Sequence, residues 1–167
     1  MATKKKSQSA KSPKRLWPPA VIGWREHIDL PALGIGPITA KIDTGARSAA
    51  LHAEEIELLH GGRKVRFKVP RKTSSPKRVV CELPVTDWRI VKNSGGRSEL
   101  RFVVETDVSI GGMQFPVEIT LTDRTDMGVP MLLGRKALLD RFLVHPAKSF
   151  VLSKTRLHRP KRKKSSA

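Results

Sequence analysis

The stretch from Ile38 to Gly45 constrains this chain more than any other. An apolar, β-prone run carrying Ile38, Ala40 and Ile42 leads straight into Asp43-Thr44-Gly45. A carboxylate at the end of a strand, on a tight turn that glycine makes easily, is held with its oxygens toward a cavity. Far downstream a second apolar run ends in glycine, Met131-Leu132-Leu133-Gly134-Arg135. Alone, Asp-Thr-Gly arises by chance in roughly a few per cent of chains of this length. Its meaning therefore rests on what accompanies it.

Length and charge set the outer limits. A chain of 167 residues suits one domain with a core of its own and some length to spare. The net charge of +18 suggests a nucleic-acid binder until it is divided along the chain. Residues 1–15 hold six Lys/Arg and residues 154–167 hold seven, with no acid in either. Between them, twenty cations face fifteen acids, so residues 16–153 carry only +5. Residues 1–16 and 154–167 read as disordered basic tails around a folded domain over 17–153. No secretory leader and no membrane-length apolar run is visible, and the lone Cys81 rules out an internal disulfide. A cytoplasmic protein is the simplest expectation. Cys81, among Val79, Val80 and Leu83, reads as a small buried apolar residue.

Many short β-type segments separated by turn signals fill the domain. Val21-Ile22-Gly23-Trp24 and Ile28-Asp29-Leu30 open it, and Gly34-Ile35-Gly36-Pro37 turns the chain into Ile38–Ile42. Leu51 to Leu59 reads as strand, with Gly61-Gly62 making a hairpin into Val65, Phe67 and Val69. From Arg63 to Arg78 there are eight basic residues and no acid. Val79–Val85, Trp88–Val91 and Leu100–Glu105 continue the pattern, the last two joined by Ser94-Gly95-Gly96. Gly111-Gly112 turns into Phe115–Leu121, a short helix is expected over Arg135–Arg141, and Phe150-Val151-Leu152 reads as a last strand. So many strands with almost no helix predict an all-β, closed β-barrel domain with one short C-terminal helix.

Three ordered motifs carry a resemblance. They are Ile22-Gly23-Trp24-Arg25-Glu26, then Ala40 through Asp43-Thr44-Gly45-Ala46-Arg47-Ser48 to Ala53, and finally Leu121 to Met127 with Pro130 to Arg135. In these the chain resembles a bacterial family labelled ATP-dependent zinc proteases, associated with RimK-type glutamate ligases and assigned the retropepsin-like acid-protease fold. The resemblance implies an aspartic endopeptidase with Asp43, Thr44 and Gly45 as the catalytic turn. One Asp-Thr-Gly per chain then requires a homodimer, because two carboxylates within about 3 Å share a proton and divide the roles of base and acid. By the same resemblance Thr44 bonds across the interface, and Leu132, Leu133, Gly134 and Arg135 support the catalytic loop from below. Ala46 and the Ser94-Gly95-Gly96 hairpin would meet the substrate, the hairpin as a flap. The sequence departs from many retroviral enzymes in one respect. Arg47 follows Ala46 where an acid often pairs with the later arginine, so Arg135 needs another partner, with Asp123 and Asp126 in view.

The words zinc and ATP can be tested on the residues. None of the five histidines has the His-Glu-x-x-His spacing, and His52-Ala53-Glu54 lacks the cysteine pair of a zinc deaminase. His52 reads as a hydrogen-bonded structural residue, with convergence of Asp43, His52 and His60 on a metal the minor alternative. No Gly-x-x-x-x-Gly-Lys-Ser/Thr loop is present, and neither metal nor cofactor is expected. The expected substrate is a polypeptide, favoured if acidic. Weak, salt-dependent polyanion binding by the basic tails is a further expectation, although stacking on bases is poorly served by a chain without tyrosine. The alternative from another class is a silent binding module of the same fold for acidic polypeptides or a ribosomal partner.

Overall fold

A computed structural model of the chain describes residues 18–72, 75–93 and 95–153. The two tails and Ser94 lie outside the described residues. Twelve strands follow in order: β1 (Ala20–Gly23), β2 (Arg25–Leu30), β3 (Ile35–Ile42), β4 (Ala49–His52), β5 (Glu54–Leu59) and β6 (Lys64–Pro70), then β7 (Arg78–Pro84), β8 (Asp87–Lys92), β9 (Ser98–Ile110), β10 (Met113–Thr122), β11 (Met131–Leu133) and β12 (Phe142–His145). Among the described residues the one α-helix is α1 (Arg135–Leu138).

Six strands close a barrel in the order β10-β4-β11-β3-β2-β9, with β9 returning to β10. Its interior is built by alternation. Ile28 and Leu30 of β2, Ile38, Ala40 and Ile42 of β3, and Val117, Ile119 and Leu121 of β10 are all buried. The barrel is thus the all-β architecture that the turn-punctuated sequence predicts, in the retropepsin-like form that the motif resemblance implies. Among the described residues, no helix is long and apolar enough to cross a membrane.

Strand β11 lies between β3 and β4, parallel to the first and antiparallel to the second. The turn that joins β3 to β4 therefore has to pass over a strand made some ninety residues later in the chain. That crossing creates the site. Beside the barrel, β5, β6 and β7 form a separate sheet, and β1 pairs in parallel with β12. In β6, Val65, Phe67 and Val69 are buried, as their alternation predicts. The basic stretch around them is partly neutralised: Arg66 meets Glu57 and Glu82, Lys68 meets Glu55, and Arg78 meets Glu54. Cys81 is buried, and that burial pushes its thiol up to about 11.

Two expectations at the C-terminal end are corrected. The helix stops at Leu138, because Leu139 is extended (φ −53°, ψ 133°) and Asp140 has φ +61°. That break swings Phe142 into β12 against β1. Phe150-Val151-Leu152 forms a turn: the Phe150 N–H donates to Arg25 O, and those of Val151 and Leu152 are spent on the Glu26 side chain. The buried Glu26 carboxylate accepts from the backbone of Gly23, Val151, Leu152 and Ser153 and from the Ser153 hydroxyl, at 2.8–3.2 Å. Burial alone would raise the Glu26 pKa, but these five bonds outweigh it and hold it below the ordinary carboxylate value.

Candidate functional site

The Asp43 turn is a lattice of short contacts. Asp43 Oδ1 accepts the N–H of Gly45 at 2.9 Å and of Ala46 at 3.2 Å, which fixes the carboxylate and leaves Oδ2 to other partners. The Asp43 N–H donates to Leu133 O at 2.9 Å, tying the turn to β11. At Gly45 φ lies outside the left-handed region, and a Cβ would stand 3.2 Å from Asp43 Oδ1, a tight contact with the pinned carboxylate. This corrects the expectation that glycine is chosen for its turn conformation.

Gly134 carries the close approach. A Cβ there would collide with the carbonyl oxygen of Ser48 and stand 2.8 Å from that of Ala46. Just beyond it, Arg135 N donates to Ala46 O at 2.8 Å and Lys136 N to Arg47 O at 3.1 Å. The turn of residues 43–48 therefore rests on the start of α1. The Arg135 guanidinium donates to the carbonyls of Thr44 and Gly45, both at 3.1 Å. The acid sought for it at Asp123 or Asp126 is replaced by main-chain oxygens of the Asp turn itself. Leu133, Gly134 and Arg135 thus support the turn directly, while Leu132 pairs with Lys41 and Ala50 and lines the cleft beside it.

A cleft of about 450 Å³ opens beside this turn. Gly45, Ala46 and Ser48 line one side, and Ile90, Val91 and Lys92 of β8 line the other. The β8–β9 hairpin thus forms the opposing wall, while its tip residues Gly95 and Gly96 are exposed and do not line the cleft. Five cations, Arg47, Arg89, Lys92, Arg101 and Arg124, line it and no acid does. Arg89 and Arg101 are direct cross-strand partners, an arrangement unfavourable for like charges. Neighbouring acids offset it: Arg89 meets Asp87 at 3.0 Å and Glu118 at 3.2 Å, and Arg101 meets Glu99 at 2.9 Å. Trp88, Ile90 and Leu100 on the same hairpin are exposed.

These arginines were missed as site residues in the sequence. Arg89, Arg101 and Arg124 come from three separate segments, and only the barrel brings them together. The one available signal was the alternation of Arg89 and Arg101 with Trp88, Ile90, Leu100 and Phe102.

A second groove, of about 390 Å³, adjoins the turn on its other side. Thr44 and Arg135 line it together with Leu138, Leu139, Phe142 and Leu143. Leu139, Leu143 and Val21 expose 63%, 58% and 44% of their surface there or alongside, so Thr44 stands next to an uncovered apolar face.

His52 is a structural residue, as its sequence context predicts. Its Nε2 lies 3.0 Å from Glu54, and its Nδ1 accepts the Arg124 N–H at 2.9 Å. With both nitrogens engaged, it does not fit a zinc site with Asp43 and His60. Among the described residues, no three His, Cys, Asp or Glu side chains are grouped to hold a metal ion.

Comparison with known proteins agrees with this geometry. Residues 21–155 match the RimB-like family model, described as retropepsin-like aspartic endopeptidase RimB. A probable alpha-L-glutamate ligase of Desulfotalea psychrophila is 41% identical over 130 residues, covering 76% of this chain and 28% of that protein. One of Shewanella pealeana is 41% identical over 135 residues, covering 79% and 30%. The chain therefore spans less than a third of these curated relatives. The crystal structure of a Legionella pneumophila protein of unknown function superposes with a TM-score of 0.66 at 31% identity, over 80% of this chain and 98% of that one. The matched residues hold the Asp43 turn, its β11 support and the barrel that frames both, and the chain belongs to the RimB-like family of retropepsin-like proteins.

Proposed function

We infer that this chain is an aspartic endopeptidase that acts as a homodimer, with Asp43 of each copy forming the catalytic pair. The observation that carries this reading is the Asp43 turn, pinned through Oδ1, strapped down by Arg135 and lining a cleft with its next residues, Gly45 and Ala46. Two such carboxylates across a two-fold axis share one proton. The ionised partner draws a proton from water as the water adds to the peptide carbonyl, and the protonated one serves the departing amine. The apolar face beside Thr44 is where a second copy would bring its own turn. Five cations in the cleft suit a polypeptide rich in carboxylates. The relatives named as glutamate ligases point to the same class of side chain.

The test is cleavage of acidic peptides by the wild type and by Asp43→Asn, with pepstatin and with a chelator in parallel, and sedimentation of both proteins. Asp43→Asn is expected to lose at least a thousandfold in kcat/KM while keeping its dimer. Cleavage that survives the substitution overturns the aspartic mechanism. A second reading is a silent module that holds acidic polypeptide, favoured by the cationic cleft, which requires no chemistry. Tight peptide binding by a strict monomer without cleavage would select it.

A further inference from the structure

Arg124 sits in the loop between β10 and β11, and its surroundings fix it firmly. Its N–H donates to buried His52, and its Nε donates to Val129 O at 3.3 Å. Just before it, Asp123 accepts from the N–H of Thr125 at 2.8 Å and from its hydroxyl at 2.5 Å. Yet among the described residues no carboxylate comes within ion-pair reach of its half-buried guanidinium. Arg89 and Arg101 differ, since each is neutralised by acids of its own. The charges that Arg124 does feel are Arg101, which repels it, and Asp43, which attracts it. A cation partly removed from water, facing another cation and without a carboxylate in ion-pair contact, weakens the fold that holds it. Such a group is kept for what it binds.

We propose that Arg124 is the specificity residue of the cleft, gripping an acidic side chain of the bound polypeptide next to the peptide bond that Asp43 addresses. The inference rests on the endopeptidase reading for its substrate. A guanidinium fork takes a carboxylate in two parallel hydrogen bonds, and partial burial strengthens both. Arg47 and Lys92 line the same cleft from exposed positions, so their attraction is longer in range and screened by salt. Arg124 supplies discrimination where they supply approach. Among the described residues no aromatic side chain lines the cleft, which leaves nothing there for a nucleic-acid base to stack on.

The test uses the full chain carrying Asp43→Asn, so that binding is read without turnover. Fluorescence anisotropy compares a labelled peptide of alternating glutamate and alanine with its glutamine counterpart. Arg124→Gln should lower affinity for the glutamate peptide at least tenfold and barely alter the glutamine peptide. Lys64→Gln removes the same charge from an exposed position on the separate sheet and should cost less than twofold. Thermal unfolding checks the fold, with Arg124→Met as the second variant. Equal losses in Arg124→Gln and Lys64→Gln overturn the inference, as do equal losses for the two peptides or no binding of the glutamate peptide. So does an oligonucleotide of equal charge that binds through Arg124 as well as the peptide does. If the wild type fails to cleave the glutamate peptide, the endopeptidase reading falls while the binding comparison still stands.

Discussion

Glu26 illustrates how much one side chain can hold. It is fully buried in β2, yet its two oxygens collect five donors, four of them from residues 151–153 at the far end of the domain: three backbone N–H groups and the Ser153 hydroxyl. Removing its charge leaves those donors facing an amide that itself brings two N–H groups. Glu26→Gln is therefore expected to cost about 3 kcal/mol and lower the melting temperature by roughly 10 °C. The pH sign follows from the depressed pKa. The stabilisation is fully present above the ordinary value of 4.5 and is lost as pH falls below it through the folded-state pKa. Wild-type unfolding followed below pH 4.5 should be steeper in pH than that of Glu26→Gln. Parallel slopes would mean that the carboxylate is not ionised in the fold.

At the scale of elements, the junction of β11 with α1 governs the Asp turn. Gly134 lies so close to Ser48 and Ala46 that any side chain must push the turn away. Gly134→Ala is expected to destabilise by roughly 3 kcal/mol and to reduce peptide cleavage further than unfolding alone explains. Activity measured well below the melting transition separates the two. The turn and its apolar supports were legible because a strand, an Asp-Thr-Gly turn and a Leu-Leu-Gly run are local patterns. The partner of Arg135 was not, because main-chain carbonyls 90 and 91 residues away carry no sequence signature. Phe150-Val151-Leu152 was misread for a related reason: an apolar triplet looks like a strand whether its N–H groups meet a ladder or, as here, one carbonyl and a distant glutamate. The cleft's arginines escaped because charge on a strand reads as solvent-facing until the opposite strand is known.

For the whole molecule, the apolar face at Val21, Leu139 and Leu143 adjoins the Asp turn, so assembly and activity should fail together. Leu139→Asp with Leu143→Asp is expected to raise the dimer dissociation constant by at least a hundredfold, read by sedimentation. The cleavage rate should then fall with dilution while the circular dichroism stays unchanged. An active, concentration-independent double variant would overturn the dimer at this face. The position of β11 between β3 and β4 also has a temporal side. During synthesis, residues 43–48 emerge long before Met131–Leu133, so the strand that must underlie the turn does not yet exist. Closing so long a loop is slow and late. A nascent chain interrupted before residue 131 carries Asp43 with nothing beneath it, and the cleft takes shape only after most of the domain has been made.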